Sequence, residues 1–231
     1  MQDCDASSLS EQIAQQIATK IILGDWVEGE RIQELRLAKE LNVSRGSVRE
    51  ALLILARTQL IEIYPRRGAI VAEMSPTQVN QLFEMSSLVL TKMVERISEH
   101  WQGYHFTQLK QLLKVLHEHC QQGNTERFYD VIFEELLNLS HIANNSYLLQ
   151  SYKDLMPALR RCYFLILNLS KQTLKEAFDL FKSVVDAILN RNVQQATLFM
   201  HEFCRHLRNL VLESLTRMKQ IELAWARRSR H

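Results

Sequence analysis

Apolar residues recur along most of this chain at spacings of three and four, the period that turns one face of an α-helix toward a core. Over Ser7–Leu23 the stripe is Leu9, Ile13, Ile17 and Ile21, with Ser8, Ser10 and Glu11 near its start and Gly24 placed to end it. A turn-rich connection, Asp25–Arg31, leads to a short helix over Glu34–Leu41 with Leu35, Ala38 and Leu41 inward. Asn42 and Val43 make a turn. Ser44 is then a good N-cap, because its hydroxyl can accept from an N–H of the first turn that otherwise has no partner. The helix that starts at Arg45 carries Val48, Ala51, Leu52 and Leu55 on one face and leaves Arg45, Gly46 and Arg49 largely off it.

After Leu60 the period drops to two. Ile61, Glu62, Ile63 and Tyr64 alternate, Pro65–Gly68 break the run, and Ala69–Ala72 resume it. This pattern predicts a small β-hairpin, with Gly68 supplying backbone freedom at the bend and Arg66 and Arg67 exposed at the tip. Ser75 and Pro76 mark a boundary, and everything beyond them reads as helix. Helices are predicted over 76–100, 105–122, 125–143, 146–169, 172–190 and 193–222, with breaks at Gly103, Gly123, Asn144–Asn145 and Asn190–Asn192.

The fold class is therefore mainly α. An N-terminal winged helix-turn-helix with a small β-hairpin wing occupies residues 1–75, and an all-α helical bundle occupies residues 76–231. By itself, the helix from Arg45 reads equally well as an amphipathic helix with solvated arginines and as a recognition helix entering a DNA major groove. The hairpin favours DNA, because its two cations stand where a wing would meet a groove or a phosphate backbone.

Composition adds limits. Hydrophobic residues make up 46% and charged residues 23%, with six Gly and three Pro, which suits a soluble chain built mostly of helices. There is no apolar run near the length of a membrane span and no apolar N-terminal segment following positive charge, so a cytoplasmic protein without a membrane partner is expected. The net charge is only +2, and residues 1–75 hold nine Lys/Arg against eleven Asp/Glu. DNA attraction must then come from a local cluster, for which Arg45, Arg49, Arg66 and Arg67 are the candidates. Cys4, Cys120, Cys162 and Cys204 form no C-x-x-C pair and read as reduced, structural thiols. No nucleophile elbow, phosphate loop or zinc-protease motif occurs, and the carboxylates Asp130 and Glu134 have no evident nucleophile or metal beside them, so an enzyme is not expected.

The segment L-A-K-E-L-N-V-S-R-G-S-V-R-E-A-L, followed by L-I-E-I-Y-P-R-R-G-A-I-V, resembles the N-terminal domain of GntR-family bacterial transcription regulators over roughly residues 8–73. The resemblance joins an S-R-x-x-V-R-E-A-L recognition helix to a P-R-x-G wing at the family's spacing. It implies that Arg45 and Arg49 contact bases or phosphates, that Ser44, Gly46 and Ser47 lie against the DNA backbone, and that Arg67 and Gly68, beside Arg66, form the wing tip near the minor groove. The family often has Thr-Pro at Gly46-Ser47 and usually Gly at Gln59. The first difference bears on operator preference, and the second implies a slightly altered entry into the wing. The implied function is a transcription regulator, such as a repressor, that binds double-stranded DNA at a palindromic operator as a homodimer.

By position and helix count, with the A-N-N-S-Y-L-L segment near 143–149, the second half resembles the FCD-type effector domain of the FadR branch in its six-helix, VanR-like variant. That branch often holds a metal through an Asp, a His one turn later and two further His on the last two helices. Here Asp130 and Phe133 fit the start of the D-x-x-F-H pattern, but Glu134 stands at the first His, and Phe181 and Phe203 fall at the later ones. Ser86 takes the place of an Arg that reads ligand carboxylates. The inherited metal site is degenerate by this comparison, so no metal or other cofactor is expected. His117, His119, Cys120, His141, His201, Cys204 and His206 form local groups, but none has diagnostic spacing, and ordinary surface or core positions are the better reading. Phe133, Phe181 and Phe203 could line an apolar pocket for an acyl or aromatic effector, with Arg160 and Arg161 as polar anchors, or simply fill the core. The alternative is a helical half that serves dimerisation or partner binding without a small-molecule effector. The tail from Ala224 is basic and suits nonspecific phosphate attraction.

Overall fold

The computed structural model describes residues 8–167 and 170–228. Cys4 and the side chains of the basic tail from Trp225 onward lie outside the described residues. The chain divides into two compact units, one formed by the residues up to Ser75 together with Pro157–Arg161, the other by Pro76–Met156 and the residues from Cys162 on.

In the first unit, α1 (Leu9–Ile22), β1 (Arg31–Ile32), α2 (Glu34–Glu40) and α3 (Arg45–Arg57) are followed by β2 (Ile61–Tyr64) and β3 (Gly68–Val71). A reciprocal cap opens α1: the Ser8 hydroxyl accepts from the Glu11 N–H at 3.2 Å, and the Glu11 carboxylate accepts from the Ser8 N–H at 2.7 Å. Ile13, Ile17 and Ile21 of α1 form one core with Leu37 of α2, Val48, Leu52 and Leu55 of α3, and Ile61, Ala69 and Val71 of the hairpin. The Ser10 hydroxyl donates to Glu50 at 2.6 Å and ties α1 to α3 beside that core.

The sheet has three strands in the order β1-β3-β2, both pairings antiparallel. Where the pattern predicts a turn-rich connection over Asp25–Arg31, the last residue enters a strand. Arg31 pairs with Ile70 and Ile32 with Ala69. The ladder is continued by Gly29 N–H donating to Val71 O at 3.0 Å and Val71 N–H donating to Glu30 O at 2.9 Å. Two residues are too few to show alternation, and their partners lie far along the chain, so no local pattern announces them.

The second unit contains α4 (Pro76–His100), α5 (His105–Gln122), α6 (Thr125–Leu139), α7 (Ser146–Phe164), α8 (Lys171–Leu189) and α9 (Val193–Arg228). The long α9 packs against α4 and α8, burying Phe203, Leu207 and Val211 with Met93 and Ile97 of α4 and Phe181 and Val185 of α8. Helix α6 stops at Leu139, short of the expected 143, because turns at Ser140–Asn144 prepare a new cap. The Asn145 side chain accepts from the N–H groups of Tyr147 and Leu148 at 3.0 and 3.1 Å and starts α7. Helix α9 runs past the expected 222 to Arg228.

Left-handed residues stand on either side of α3. Asn42, with φ 52°, makes the turn between α2 and α3, a conformation that Asn tolerates. Gln59, with φ 58°, follows α3 and directs the chain into β2. The position at which the family usually has Gly is thus one where the backbone needs positive φ, and Gln59 holds it at a steric cost of about 1–2 kcal/mol. Part of that gain is returned through the greater freedom of glycine in the unfolded chain. Gln59→Gly should therefore raise unfolding stability by about 0.5–1 kcal/mol in urea titration. A variant less stable than wild type would show that Gln59 makes a compensating contact.

Candidate nucleic-acid interface

Helix α3 is held from one side. Val48, Ala51, Leu52 and Leu55 are each no more than 2% exposed, whereas Arg45, Gly46 and Arg49 are exposed and Ser47 is half-buried. Ser44 caps the helix by accepting from the Ser47 N–H at 3.0 Å, and the two hydroxyls lie 2.9 Å apart. The remaining N–H groups of this first turn and the positive end of the helix dipole face an anion favourably. Arg49 Nη2 lies 3.4 Å from Glu34 Oε2 of α2, with the arginine side chain 67% exposed. Such an exposed pair contributes little, so exchanging Glu34 for a phosphate or a base edge is inexpensive.

Gly46 is not demanded by the fold: an added Cβ would meet only the Ser44 hydroxyl, at an ordinary 3.5 Å. What the glycine provides is bare backbone on the exposed side of the first turn.

The wing closes through a tight turn. Arg67 N–H donates to Tyr64 O at 3.2 Å, Pro65 takes the first central position and Arg66, with φ 64°, the second. Proline followed by positive φ is the type II pattern, which ordinarily calls for glycine second. Arg66 thus stands in a strained conformation, the kind that persists where the surrounding structure enforces it. Gly68 follows with φ 81°. Both arginines are exposed. Tyr64 donates its hydroxyl to Glu62, and this hydrogen bond, then the charge of Glu62, raises the phenol's pKa.

Ser44, Arg45, Gly46, Ser47 and Arg49 therefore share one helix start, and Arg66, Arg67 and Gly68 share one hairpin turn. The edge-strand residue Arg31 joins the wing sheet without being legible from the sequence pattern, since pairing with β3 alone brings it there.

The residues expected around an effector lie in several settings. Phe181 and Phe203 are buried against each other with ring centroids 5.3 Å apart. Phe133 sets its edge on Tyr163 at 4.8 Å, and Tyr163 stacks on Tyr129 at 4.8 Å. Burial raises both phenols' pKa values. Ser86 is buried and its hydroxyl donates to Leu82 O, one turn back in α4, at 2.7 Å. Asp130 is half-buried with Arg127 3.8 Å away, Glu134 is exposed and Arg160 is half-buried. Arg161 belongs to the first compact unit, where its guanidinium donates to Ala72 O at 2.8 Å and Glu28 at 3.2 Å. A groove of about 280 Å³ is lined by Leu180, Glu202, Arg205, His206 and Asn209, none of them an expected pocket residue.

The metal that the FCD resemblance implies does not fit these residues. Two phenyl rings in mutual contact have no lone pair to offer at the positions of the later imidazoles. The other groups do not assemble either. His201 is exposed, Cys204 is buried with its thiol pushed up to about 12, and burial lowers the pKa of half-buried His206. His117 Nε2 lies 2.8 Å from the Gln121 amide, and burial raises the thiol of Cys120. Among the described residues no three His, Cys, Asp or Glu side chains are placed to hold a metal ion.

A capped, one-sided recognition helix with a basic wing, followed by a helical bundle, defines a winged helix-turn-helix transcription regulator. The family described as bacterial regulatory proteins, gntR family, matches residues 9–71, and the FCD domain matches residues 81–208, more than half of the chain. The chain belongs to the GntR family and carries an FCD domain. It is 28% identical over 182 residues to the gluconate operon transcriptional repressor of Bacillus licheniformis, covering 78% of this chain and 72% of that one. It is 23% identical to the uncharacterized HTH-type transcriptional regulator YdhC of Bacillus subtilis, covering 87% of this chain and 92% of that one. The solved structure of E. coli McbR/YncC shares the fold with a TM-score of 0.75 at 19% identity, over 90% of this chain and 99% of that one. These relatives and families are regulators of transcription, not enzymes. No helix among the described residues is long and apolar enough to cross a membrane.

Raised thiol pKa values make a direct prediction. At pH 8 the native protein carries almost no thiolate at Cys204, so with Cys4 replaced by Ser, labelling by a disulfide reagent should be slow until urea is added. Rapid native labelling of Cys204 would place it in an accessible, ionised setting instead.

Proposed function

We propose that the protein acts in the cytoplasm as a homodimer that binds a palindromic operator. Residues 1–75 would read DNA, and residues 76–231 would dimerise and receive the controlling signal. The observation that carries this reading is the one-sided burial of α3, which leaves Arg45 and Arg49 outward at its capped start. In this reading Arg45 and Arg49 contact base edges or phosphates in the major groove, and Ser44, Gly46 and Ser47 approach the phosphate backbone. Arg66, Arg67 and Gly68 place the wing at the minor groove. One half-site offers few base contacts, and doubling them through a dimer provides specific affinity. The gluconate operon repressors among the relatives support repression as its action.

For control, the replacement of metal ligands by phenyl rings supports an apolar or acyl-like effector near Phe133, Phe181 and Phe203, with Ser86, Asp130, Glu134 and Arg160 as outlying polar groups. Such an effector would shift the dimer between arrangements that space the recognition helices differently. The Phe181–Phe203 contact favours a second reading, in which the helical half is a dimerisation or partner-binding module without a small-molecule effector.

Native mass spectrometry of purified protein, with thermal-shift screening of fatty acids, acyl conjugates and aromatic acids, separates the two. A bound compound or a large saturable shift supports the effector; no response across the series supports the module. For DNA, Arg49→Ala should cost about 1–3 kcal/mol of specific binding, read by anisotropy on a duplex recovered from a random pool by the wild-type protein. Affinity equal to wild type would remove Arg49 from the interface.

A further inference from the structure

The edge strand brings a cation to the wing. Arg31 on β1 stands opposite Ile70 of the central strand β3. Residues paired across a ladder share a face, and alternate residues along a strand return to it, so Arg31, Ile70, Gly68, Glu62 and Tyr64 lie on one face of the sheet. The buried Ile32, Ala69, Val71 and Ile61 lie on the other. The Arg31 side chain reaches along the sheet toward the wing turn: its Nε and Nη2 lie 3.9 Å from the point a Cβ on Gly68 would occupy. Gly68 directly follows Arg66 and Arg67, so three arginines serve one end of the hairpin.

Among the described residues the Arg31 side chain has no hydrogen-bond or ion-pair partner. The carboxylates near it in sequence and on the sheet are engaged elsewhere. Glu28 accepts from Met74 N–H and Arg161, Glu30 accepts from Val27 N–H at 3.1 Å, and Glu62 accepts from the Tyr64 hydroxyl. A single exposed arginine is ordinarily a solvated charge without a task. Three at one end of a three-stranded sheet, in a stretch whose overall balance is acidic, make a local positive site suited to a polyanion.

We propose that Arg31 is a further DNA contact, holding a phosphate beside the groove that the wing turn enters. This inference rests on the DNA-binding reading of the N-terminal unit. A guanidinium on phosphate fixes position and carries no base information, so its loss should weaken all sequences alike.

The test compares full-length wild type, Arg31→Ala and Arg31→Lys on two 30-base-pair duplexes, one of random sequence and one recovered from a random pool by the wild-type protein. Anisotropy titrations at several KCl concentrations give the salt slope, and matching melting temperatures establish that the variants are folded. Arg31→Ala should bind both duplexes about three- to tenfold more weakly at 0.1 M salt, with the slope of log K against log salt reduced by about 0.9 per chain. Arg31→Lys should keep most of the slope. An Arg31→Ala protein with wild-type affinity and slope would overturn the proposal while leaving the DNA-binding reading intact. Wild-type protein that binds neither duplex would overturn that reading, and the role of Arg31 with it.

Discussion

The first unit depends on the burial of one face of α3. Val48, Ala51, Leu52 and Leu55 are withdrawn from water against α1 and the hairpin, and burial of each leucine is worth about 1.5–3 kcal/mol. That packing leaves no rotational freedom to the helix. Because the period is 3.6, fixing the apolar face also fixes where Arg45 and Arg49 stand. The Ser44 cap and the left-handed Asn42 set where the helix begins, and the left-handed Gln59 sets where the chain leaves it. The surface proposed to meet DNA is thus a by-product of a core.

The wing shows a different balance. Its turn takes a strained backbone at Arg66 where glycine would be relaxed, and its sheet carries arginines with no local carboxylate to meet them. The strained turn costs stability in the free protein. The coincidence of both features in one wing fits a surface shaped by an anionic partner more than by folding.

The helical half departs from the polar chemistry that its resemblance implies. Where the resemblance to FCD domains implies imidazoles on the last two helices, phenyl rings meet at 5.3 Å, and the tyrosines beside Phe133 are stacked and buried. A metal needs lone pairs converging on a point, whereas this interior offers ring edges and faces.

The sequence by itself determined what depends on local pattern. It marked the helices through their 3.6 period, the hairpin through alternation broken at Pro65–Gly68, and the start of α3 at its cap. The motif joining helix to wing identified the arginines in the DNA-binding domain. These features are legible because each lies within one or two turns of its own cause. Only the tertiary structure decided what depends on residues distant in the chain. Pairing of Arg31 with Ile70 made a third strand and added a cation to the wing, while hydrogen bonds to Ala72 and Glu28 tied Arg161 of α7 to residues far back in the chain. The contact between Phe181 of α8 and Phe203 of α9 was likewise made by packing. Spacing reports a helix's face only in part, since Leu35 of α2, expected inward, is exposed while Leu37 is buried; a residue's neighbour across a fold is chosen by packing and pairing, which no single stretch of chain encodes.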